Sequence, residues 1–202
     1  MKIIVIGASG TIGKPVADLL SARHQVVRVG RTQGDYQVDI ASPESIKALY
    51  QAVAPFDAVV SAAGSARFKP LEQLTDEDFA FSLSSKLMGQ VNVVRLGLPH
   101  MNDHGSFTLT SGTLARDPMP GSAAVSLVNA GLEGFVRAAA LEMPRGIRVN
   151  VVSPPWVSET LAAMGQDAAA GLPAARVAAA YVESVESRRT GEMLDARDFR
   201  PS

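Results

Sequence analysis

Short runs of β-branched residues alternate along this chain with longer amphipathic stretches. This alternation predicts βαβ units, in which helices cover both faces of a parallel sheet. Strands that are buried on both faces are expected to be short and apolar throughout. The predicted strands cover residues 3–6, 25–29, 58–61, 107–110 and 147–152, with weaker ones at 36–39 and 192–194.

Two sequence signals mark helix starts between the strands. Ser42 followed by Pro43 is typical of an N-cap with proline at the first helical position. Thr75, with Asp78 three residues later, resembles a capping box. The predicted helices cover about 42–53, 75–101 and 123–143, and segment 161–180 is expected to be a mobile loop followed by a helix.

The long helix predicted over 75–101 has two different faces. Its apolar positions are expected to form a core stripe, which consists of Phe79, Leu83, Leu87, Val91, Val94 and Leu98. The second face has small and polar residues, namely Asp78, Ser82, Ser85, Gly89 and Asn92. Because small residues let another helix approach closely, this helix and the Ala-rich one at 123–143 are candidates for a homo-oligomer interface, in a dimer or tetramer. Tight packing on the sheet alone is the alternative.

Length and composition favour one domain over residues 1–202. The chain has 202 residues, of which 47% are hydrophobic, so it can bury one sizeable core but not two full-sized ones. Together with the strand pattern, this predicts an α/β fold with three layers. The expected architecture is a doubly wound parallel sheet of the Rossmann-like type.

Charge and residue content exclude several functions. Nineteen Lys and Arg against 20 Asp and Glu give a formal charge of −1, which provides no basic field for nucleic acid or an anionic membrane. The absence of cysteine excludes thiolate catalysis, and only three histidines argue against a metal site. No apolar stretch reaches the roughly 18 residues of a membrane helix. We therefore expect a cytoplasmic enzyme or binding protein that takes a small molecule.

The glycine-rich sequence Gly7-Ala8-Ser9-Gly10-Thr11-Ile12-Gly13 directly follows the first predicted strand. Glycines at this spacing allow a tight turn, close approach of the backbone to a pyrophosphate and close packing of helix on strand. Its position between a strand and a helix predicts a dinucleotide-binding loop. A purely structural glycine turn is the alternative.

The second predicted strand runs into Gly30-Arg31-Thr32, where no carboxylate is present to bind the ribose 2′-hydroxyl of NAD. The Arg31 guanidinium suits the 2′-phosphate of NADP, and Thr32 places a hydroxyl beside it. The sequence therefore favours NADP over NAD. In the alternative interpretation, Arg31 is an ordinary surface arginine and Asp35 binds the ribose.

With these motifs in order, nearly the whole chain resembles the short-chain dehydrogenase/reductase family. The resemblance implies an adenine contact at Asp39 and Ile40, and an adenosine-ribose contact at Ala62, Ala63 and Gly64. It also implies a catalytic serine at Ser111. The segment from Pro154 to Val157 resembles the turn whose backbone holds the nicotinamide amide.

One part of the family pattern is missing. Members normally donate a proton from the tyrosine of a Tyr-x-x-x-Lys pair, but this alignment has Val125 and Asn129 at the two positions. No tyrosine of the chain is followed by a lysine four residues later. If this chain is a reductase, its proton donor must be a group other than this tyrosine.

Lys86 stands where the family has a helical asparagine. If its ammonium points into the site, it can bind the nicotinamide ribose, or its pKa can fall enough for proton donation. The alternative is a lysine whose stem follows the helix surface to solvent. Farther along, Arg116 and Asp117 follow the Ser111 strand and either contact substrate or form a loop salt bridge.

Three functions are compatible with these residues. The first is an NADP-dependent oxidoreductase acting on a small, uncharged carbonyl or alcohol, with Ser111 and Lys86 as its catalytic groups. The second is an NADP-binding regulatory or partner-binding protein that has lost the redox step. The third is an isomerase or dehydratase that uses the nucleotide structurally.

Overall fold

A computed structural model describes residues 1–200, and its centre is a sheet of seven parallel strands. Their spatial order is β3-β2-β1-β4-β5-β6-β7. The strands are β1 (Lys2–Ile6), β2 (Gln25–Gly30), β3 (Tyr36–Gln37), β4 (Phe56–Ser61), β5 (Met101–Thr110), β6 (Arg148–Ser153) and β7 (Met193–Asp195). The predicted α/β class and parallel sheet are confirmed.

Helices cover both faces of this sheet. They are α1 (Gly13–Ser21), α2 (Pro43–Val53), α3 (Asp76–Ser82), α4 (Gly89–Gly97), α5 (Ala123–Ala139), α6 (Ser158–Ala163) and α7 (Ala174–Glu186). One apolar core lies between the sheet and α2, α4 and α5. A second lies between the sheet and α1 and α7.

The interior strand β1 lies between two apolar cores, which explains why its sequence is apolar throughout. Ile4 and Ile6 enter one core, and Ile3 and Val5 enter the other. All four are essentially inaccessible to solvent. A strand buried on both faces has no polar side, so alternation is absent.

The strand order reverses at β1, which pairs with β2 on one side and β4 on the other. Chain segments leaving β1 and β4 therefore diverge at the carboxyl edge of the sheet. Such a switch point opens a crevice in which α/β proteins bind ligands. The glycine-rich loop after Ile6 and the segment after Ser61 border this crevice.

The long helix predicted over 75–101 is interrupted. Its capping box is present, since Thr75 and Asp78 exchange side-chain to backbone hydrogen bonds. A π-helical turn over Leu83–Met88 then separates α3 from α4, and a 3₁₀ turn over Leu98–His100 follows. The π turn carries Lys86, in keeping with the frequent position of such turns at functional sites.

The predicted core stripe on this helical region is right at three of its six positions. Val94 is buried in the core, and Leu87 and Leu98 are partly buried and pack against it. Phe79, Leu83 and Val91 are partly accessible and are not among the core residues, so the prediction is wrong there. The small and polar face turns inward instead, with Asp78, Ser82, Gly89 and Asn92 buried. Close packing is the reason: a Cβ on Gly89 would lie 3.0 Å from the Ile40 side chain.

Two other boundaries differ from the sequence prediction. Strand β5 begins at Met101, six residues before the predicted start, and its register with β4 shifts between Phe56 and Ala58. Residues 102–104 are polar and exposed, so the apolar pattern did not include them. Helix α5 ends at Ala139, and 161–180 contains the end of α6, a 3₁₀ turn over Ala168–Ala170 and most of α7. The Ala-rich segment is thus more regular than expected.

Candidate active site

The glycine-rich loop lies at the carboxyl end of β1, where its backbone is held on both sides. The Gly7 amide donates to the Val29 carbonyl at 2.8 Å, and the Ala62 amide donates to the Ile6 carbonyl at 2.9 Å. Gly7 has a φ of +86°, which disfavours any side chain. These contacts fix the loop between the ends of β2 and β4.

The three glycines of the loop leave little room for side chains. A Cβ on Gly13 would lie 2.0 Å from the Gly7 carbonyl oxygen, and a Cβ on Gly7 would lie 2.6 Å from the Ala62 oxygen. Gly13 therefore lets α1 begin directly against the loop. This arrangement brings the helix N-terminus close to the strand end.

The N-terminus of α1 has backbone amides that can bind an anion. Within residues 1–200, the amides of Thr11, Ile12 and Gly13 have no hydrogen-bond partner. The first turn also contains no acidic residue. Unpaired amides and the positive end of the helix dipole favour a phosphate at this position.

An outer cleft of about 250 Å³ extends from this loop toward β2. Nine of the residues predicted to contact a dinucleotide line it: Gly7, Ser9, Gly10, Arg31, Asp39, Ile40, Ala62, Ala63 and Gly64. Thr11, Gly13 and Thr32 do not line it. The outer cleft has the position expected for the adenine half of a dinucleotide.

Arg31 is the one cationic residue in the lining of the outer cleft. Its side chain is 80% exposed and forms an ion pair with Asp39, at 3.3 Å between Nη2 and Oδ2. Asp35, the alternative ribose ligand, instead accepts a hydrogen bond from the Arg28 amide. Arg31 lines the outer cleft and Asp35 does not, so Arg31 is the better placed of the two to contact a ligand there.

An inner cavity of about 410 Å³ continues from the outer cleft, and Gly64 borders both. Besides Gly64, five residues from the sequence prediction line it: Ile12, Lys86, Ser111, Pro154 and Val157. Part of its lining is aromatic, since the Phe68 and Trp156 rings meet edge to face with centroids 5.9 Å apart. The inner cavity thus combines an apolar wall with a few polar groups.

Lys86 enters the inner cavity from the π turn, and is not a lysine that extends along the surface. Its ammonium Nζ donates to the Ser111 carbonyl oxygen at 3.3 Å. Burial lowers the pKa of Lys86 from 10.5 to about 8. The absence of a side chain at Gly64 lets the π turn approach closely, because a Cβ on Gly64 would lie 3.0 Å from the Lys86 Cα.

Ser111 lies just beyond the carboxyl end of β5 and is almost fully buried. Its hydroxyl donates to Glu133 Oε1 at 3.2 Å, with the Val152 carbonyl oxygen at 3.4 Å. Since a hydroxyl has one proton, this contact directs it toward α5 and leaves the oxygen lone pairs as acceptors. Glu133 was missed by sequence reasoning, because a lone acid within a helix carries no motif.

Side chains hold the carboxyl ends of β5, β6 and β7 in place. The Gln90 amide bonds both backbone groups of Thr110, at 2.8 and 2.9 Å. Arg116 reaches Ser153 and Asp195, both at 3.3 Å, and its Nε lies 4.0 Å from Glu133. These contacts favour the structural interpretation of Arg116 over a substrate contact.

Asn129 also lines the inner cavity, from α5. Its side chain is 2% exposed, and Oδ1 has no hydrogen-bond partner. The sequence indicated this residue only indirectly, by placing it where the family resemblance expects lysine. A buried amide oxygen without a partner is uncommon in a folded protein.

No tyrosine lines the inner cavity. Tyr50 and Tyr181 are fully buried in the two cores, where they bond Val93 and Thr110 respectively. Burial raises the pKa of both phenols. Tyr36 is on the edge strand β3, so none of the three can replace the missing proton donor.

Comparison with known proteins identifies the family. Residues 14–194 match the family model described as enoyl-(acyl carrier protein) reductase. An uncharacterized oxidoreductase of Schizosaccharomyces pombe is 30% identical over 168 residues, covering 75% of this chain and 65% of the relative. The chain belongs to the short-chain dehydrogenase/reductase family.

Other relatives agree with this assignment. Hydroxynaphthalene reductase arp2 of Aspergillus fumigatus is 33% identical over 138 residues, covering 66% of this chain and 50% of the relative. The chain thus spans half to two thirds of the length of these two short-chain dehydrogenase/reductase relatives. The crystal structure of lin1944 from Listeria innocua is 45% identical, with a TM-score of 0.93 and coverage of 96% of this chain and 98% of that one.

Two features are absent from the part of the chain that the structure describes. Residues 1–200 contain no group of three or more His, Cys, Asp or Glu side chains that could hold a metal ion. No helix in that range has the length and apolar character needed to cross a membrane.

Proposed function

We propose that this protein is an NADP(H)-dependent oxidoreductase that interconverts a small, uncharged carbonyl compound and the corresponding alcohol. The observation that carries the proposal is the continuity of the outer cleft with the inner cavity through Gly64. This path joins Arg31, the glycine-rich loop, Lys86 and Ser111 along one edge of the sheet. A dinucleotide is an elongated ligand that suits such a path.

The residues present fit the cofactor. The positions of Gly7 and Gly13 exclude side chains, so a pyrophosphate can approach the backbone closely, and the unpaired amides at the start of α1 can bind it. Asp39, Ile40 and Ala62–Gly64 would hold the adenosine half, and Pro154 and Val157 the nicotinamide end. When bound, the nicotinamide would supply or accept a hydride.

The preference for NADP over NAD rests on Arg31. Its guanidinium is at the mouth of the outer cleft, and no carboxylate follows β2 directly to bind a ribose 2′-hydroxyl. A charge-assisted hydrogen bond to a 2′-phosphate is a strong contact. A small-chain dehydrogenase solved with NADPH shares this fold, with a TM-score of 0.85 at 24% identity.

Lys86 is the proposed proton donor for carbonyl reduction. Its ammonium is in the cavity wall, and a pKa of about 8 makes it a stronger acid than an ordinary lysine near neutral pH. The Ser111 hydroxyl is not available as a donor while it bonds Glu133. Its oxygen can accept a hydrogen bond from a substrate alcohol, so Ser111 orients the substrate.

The walls of the inner cavity indicate the substrate class. Phe68, Trp156 and Val125 provide apolar surface, and Lys86 is the one charged residue in the lining. An anionic substrate would have only that single cation to pair with. We therefore favour an uncharged aldehyde or ketone of small size.

The experiment is a screen of aliphatic and aromatic aldehydes and ketones for oxidation of NADPH by the purified protein. We expect turnover of at least one uncharged compound, with little activity on carboxylate-bearing analogues. The Ser111→Ala variant should retain NADPH binding but turn over more slowly. Binding of NADPH without turnover of any compound in the screen would count against the redox assignment.

We also propose that the protein forms a homo-oligomer through the region of α4 and α5. The apolar residues Phe79, Leu83, Leu87 and Val91 are only partly buried in the single chain. Leu127 on α5 is 49% exposed and Met88 is 44% exposed. Apolar groups left accessible on neighbouring helices favour a subunit contact.

A further inference from the structure

Glu133 is a buried acid to which the proposed reaction gives no role. It lies on α5 and is 6% exposed. Within residues 1–200, its side chain has one hydrogen bond, which Oε1 accepts from the Ser111 hydroxyl at 3.2 Å. A buried charge is costly unless it is paired and hydrogen-bonded, so packing alone gives no reason for an acid at this position.

Arg116 supplies the positive charge nearest to this acid. Its Nε atom lies 4.0 Å from the same Oε1 atom of Glu133 that accepts from Ser111. Arg116 also bonds Ser153 and Asp195, at the ends of β6 and β7, so its guanidinium stays beside Glu133. A cation fixed in this way is the natural partner of a carboxylate, which can only accept hydrogen bonds.

The contact with Glu133 determines how the Ser111 hydroxyl acts. A hydroxyl has one proton and two lone pairs, and an ionised carboxylate is a stronger acceptor than a neutral carbonyl. The competing acceptor is the Val152 carbonyl oxygen, which lies at 3.4 Å and already accepts from the Ser111 amide at 2.9 Å. The proton is therefore directed to Glu133, and the lone pairs of Ser111 remain for a ligand that carries a donor.

Glu133 can affect a ligand only through Ser111. Ser111 lines the inner cavity, whereas Glu133 is behind it and does not line the cavity. An alcohol has a proton to donate to the Ser111 oxygen, and a carbonyl has none. The two forms of a substrate therefore differ in whether they can bond this serine.

We propose that Glu133 is a positioning residue that makes Ser111 a hydrogen-bond acceptor and thereby favours the alcohol form of the substrate. The proposal rests on the proposed function, because it assumes carbonyl–alcohol interconversion beside Ser111. An alcohol bonds Ser111 through its proton as soon as it binds. A carbonyl gains this bond only as its oxygen takes up a proton during reduction.

The test compares Glu133→Leu with Ser111→Ala, using the carbonyl compound that the screen turns over fastest and its alcohol. In carbonyl reduction, both variants should lower kcat about tenfold with unchanged KM, because the bond to Ser111 forms only as the alcohol forms. In alcohol oxidation, both should raise KM about tenfold with unchanged kcat. Glu142→Leu, at an exposed position beyond α5, is the matched control, and thermal melting checks the fold of each variant.

The double variant Ser111→Ala/Glu133→Leu separates positioning from a structural role. If Glu133 acts only through Ser111, adding Glu133→Leu to Ser111→Ala should change neither kcat nor KM further. Glu133→Gln should stay within about threefold of wild type, because its amide oxygen can still accept from Ser111 and faces the cation of Arg116. Additive losses in the double variant, or wild-type kinetics in Glu133→Leu, would overturn the proposal and leave the proposed function intact.

Infrared spectroscopy tests the state of Glu133 without turnover. The difference spectrum between wild type and Glu133→Gln at neutral pH should show the loss of a carboxylate band, and Ser111→Ala should shift that band by removing its donor. Loss of a carboxylic-acid band instead would overturn the proposal, since a protonated Glu133 would donate to the Ser111 oxygen. A wild-type protein with neither NADPH binding nor turnover would reject the proposed function, and this role of Glu133 with it.

Discussion

Lys86 and Ser111 are joined by a hydrogen bond of 3.3 Å between the lysine ammonium and the serine carbonyl oxygen. The lysine belongs to a π-helical turn, and the serine follows the strand at the centre of the site. Their contact places a cationic donor beside the proposed reaction centre, in a cavity that no tyrosine lines. Lys86 is the proposed proton donor. Ser111, whose hydroxyl bonds Glu133, has the separate proposed role of orienting the substrate.

The Lys86→Met variant should lower kcat for carbonyl reduction by about 100-fold, because general acid catalysis typically contributes at least that much. In the wild type, Lys86 is protonated below its pKa of about 8 and loses its proton above it. The rate of carbonyl reduction should therefore fall as pH rises through 8. Steady-state kinetics across pH 6 to 10 measure both effects. An unchanged rate and pH profile in the variant would remove Lys86 from the chemistry.

The Arg31→Ala variant should raise the NADPH Kd by about tenfold, which corresponds to about 1.4 kcal/mol for a charge-assisted contact at an exposed site. The NADH Kd should change less than twofold, since NADH has no 2′-phosphate. Fluorescence titration measures both. Arg188→Ala, at an exposed position beyond α7, is the control. Equal weakening of both nucleotides would mean that Arg31 supports the cleft rather than the phosphate.

Two glycine substitutions should change stability in opposite directions. Gly13→Ala forces a Cβ against the Gly7 carbonyl, and should lower the free energy of unfolding by about 1 to 3 kcal/mol. Gly134→Ala, on α5, introduces a Cβ with no atom within 4 Å, and should raise it by about 0.5 to 1 kcal/mol. Urea denaturation checks both values. A stable Gly13→Ala protein with full nucleotide affinity would show that the loop can rearrange.

The Leu127→Asp variant should weaken the proposed oligomer, because it places a charge on the accessible apolar face of α5. Sedimentation velocity should show a smaller species than the wild type at the same concentration. Leu141→Asp is a matched control, since Leu141 is 88% exposed but lies beyond the end of α5. A monomeric wild type would contradict the assembly itself.

Local signals predicted the parts of the site that depend on local geometry. The run of apolar residues in β1 predicts the strand. The glycines after it predict the loop and the start of α1, because close packing of the backbone there leaves no room for a side chain. The order of buried strands also indicated the parallel sheet. These features follow from residues that are neighbours in sequence.

Features that depend on tertiary packing were not predictable in this way. Periodicity assigned Leu83 to the core, but this residue is only partly buried, and the small-residue face packs against Ile40. The π turn shifts the helical register locally, and this changes the direction of the Lys86 side chain. A sequence pattern with 3.6 residues per turn does not predict such a shift. The Ser111–Glu133 contact joins residues 22 positions apart, and no motif links them.

Calorimetric titration of the purified protein with NADPH and with NADH tests the central claim most directly. The account predicts saturable NADPH binding at one site per chain, with NADH binding about tenfold or more weakly because it lacks a phosphate for Arg31. Binding of neither nucleotide would contradict the account. The glycine-rich loop and the two connected cavities would then be a structural feature without a nucleotide ligand.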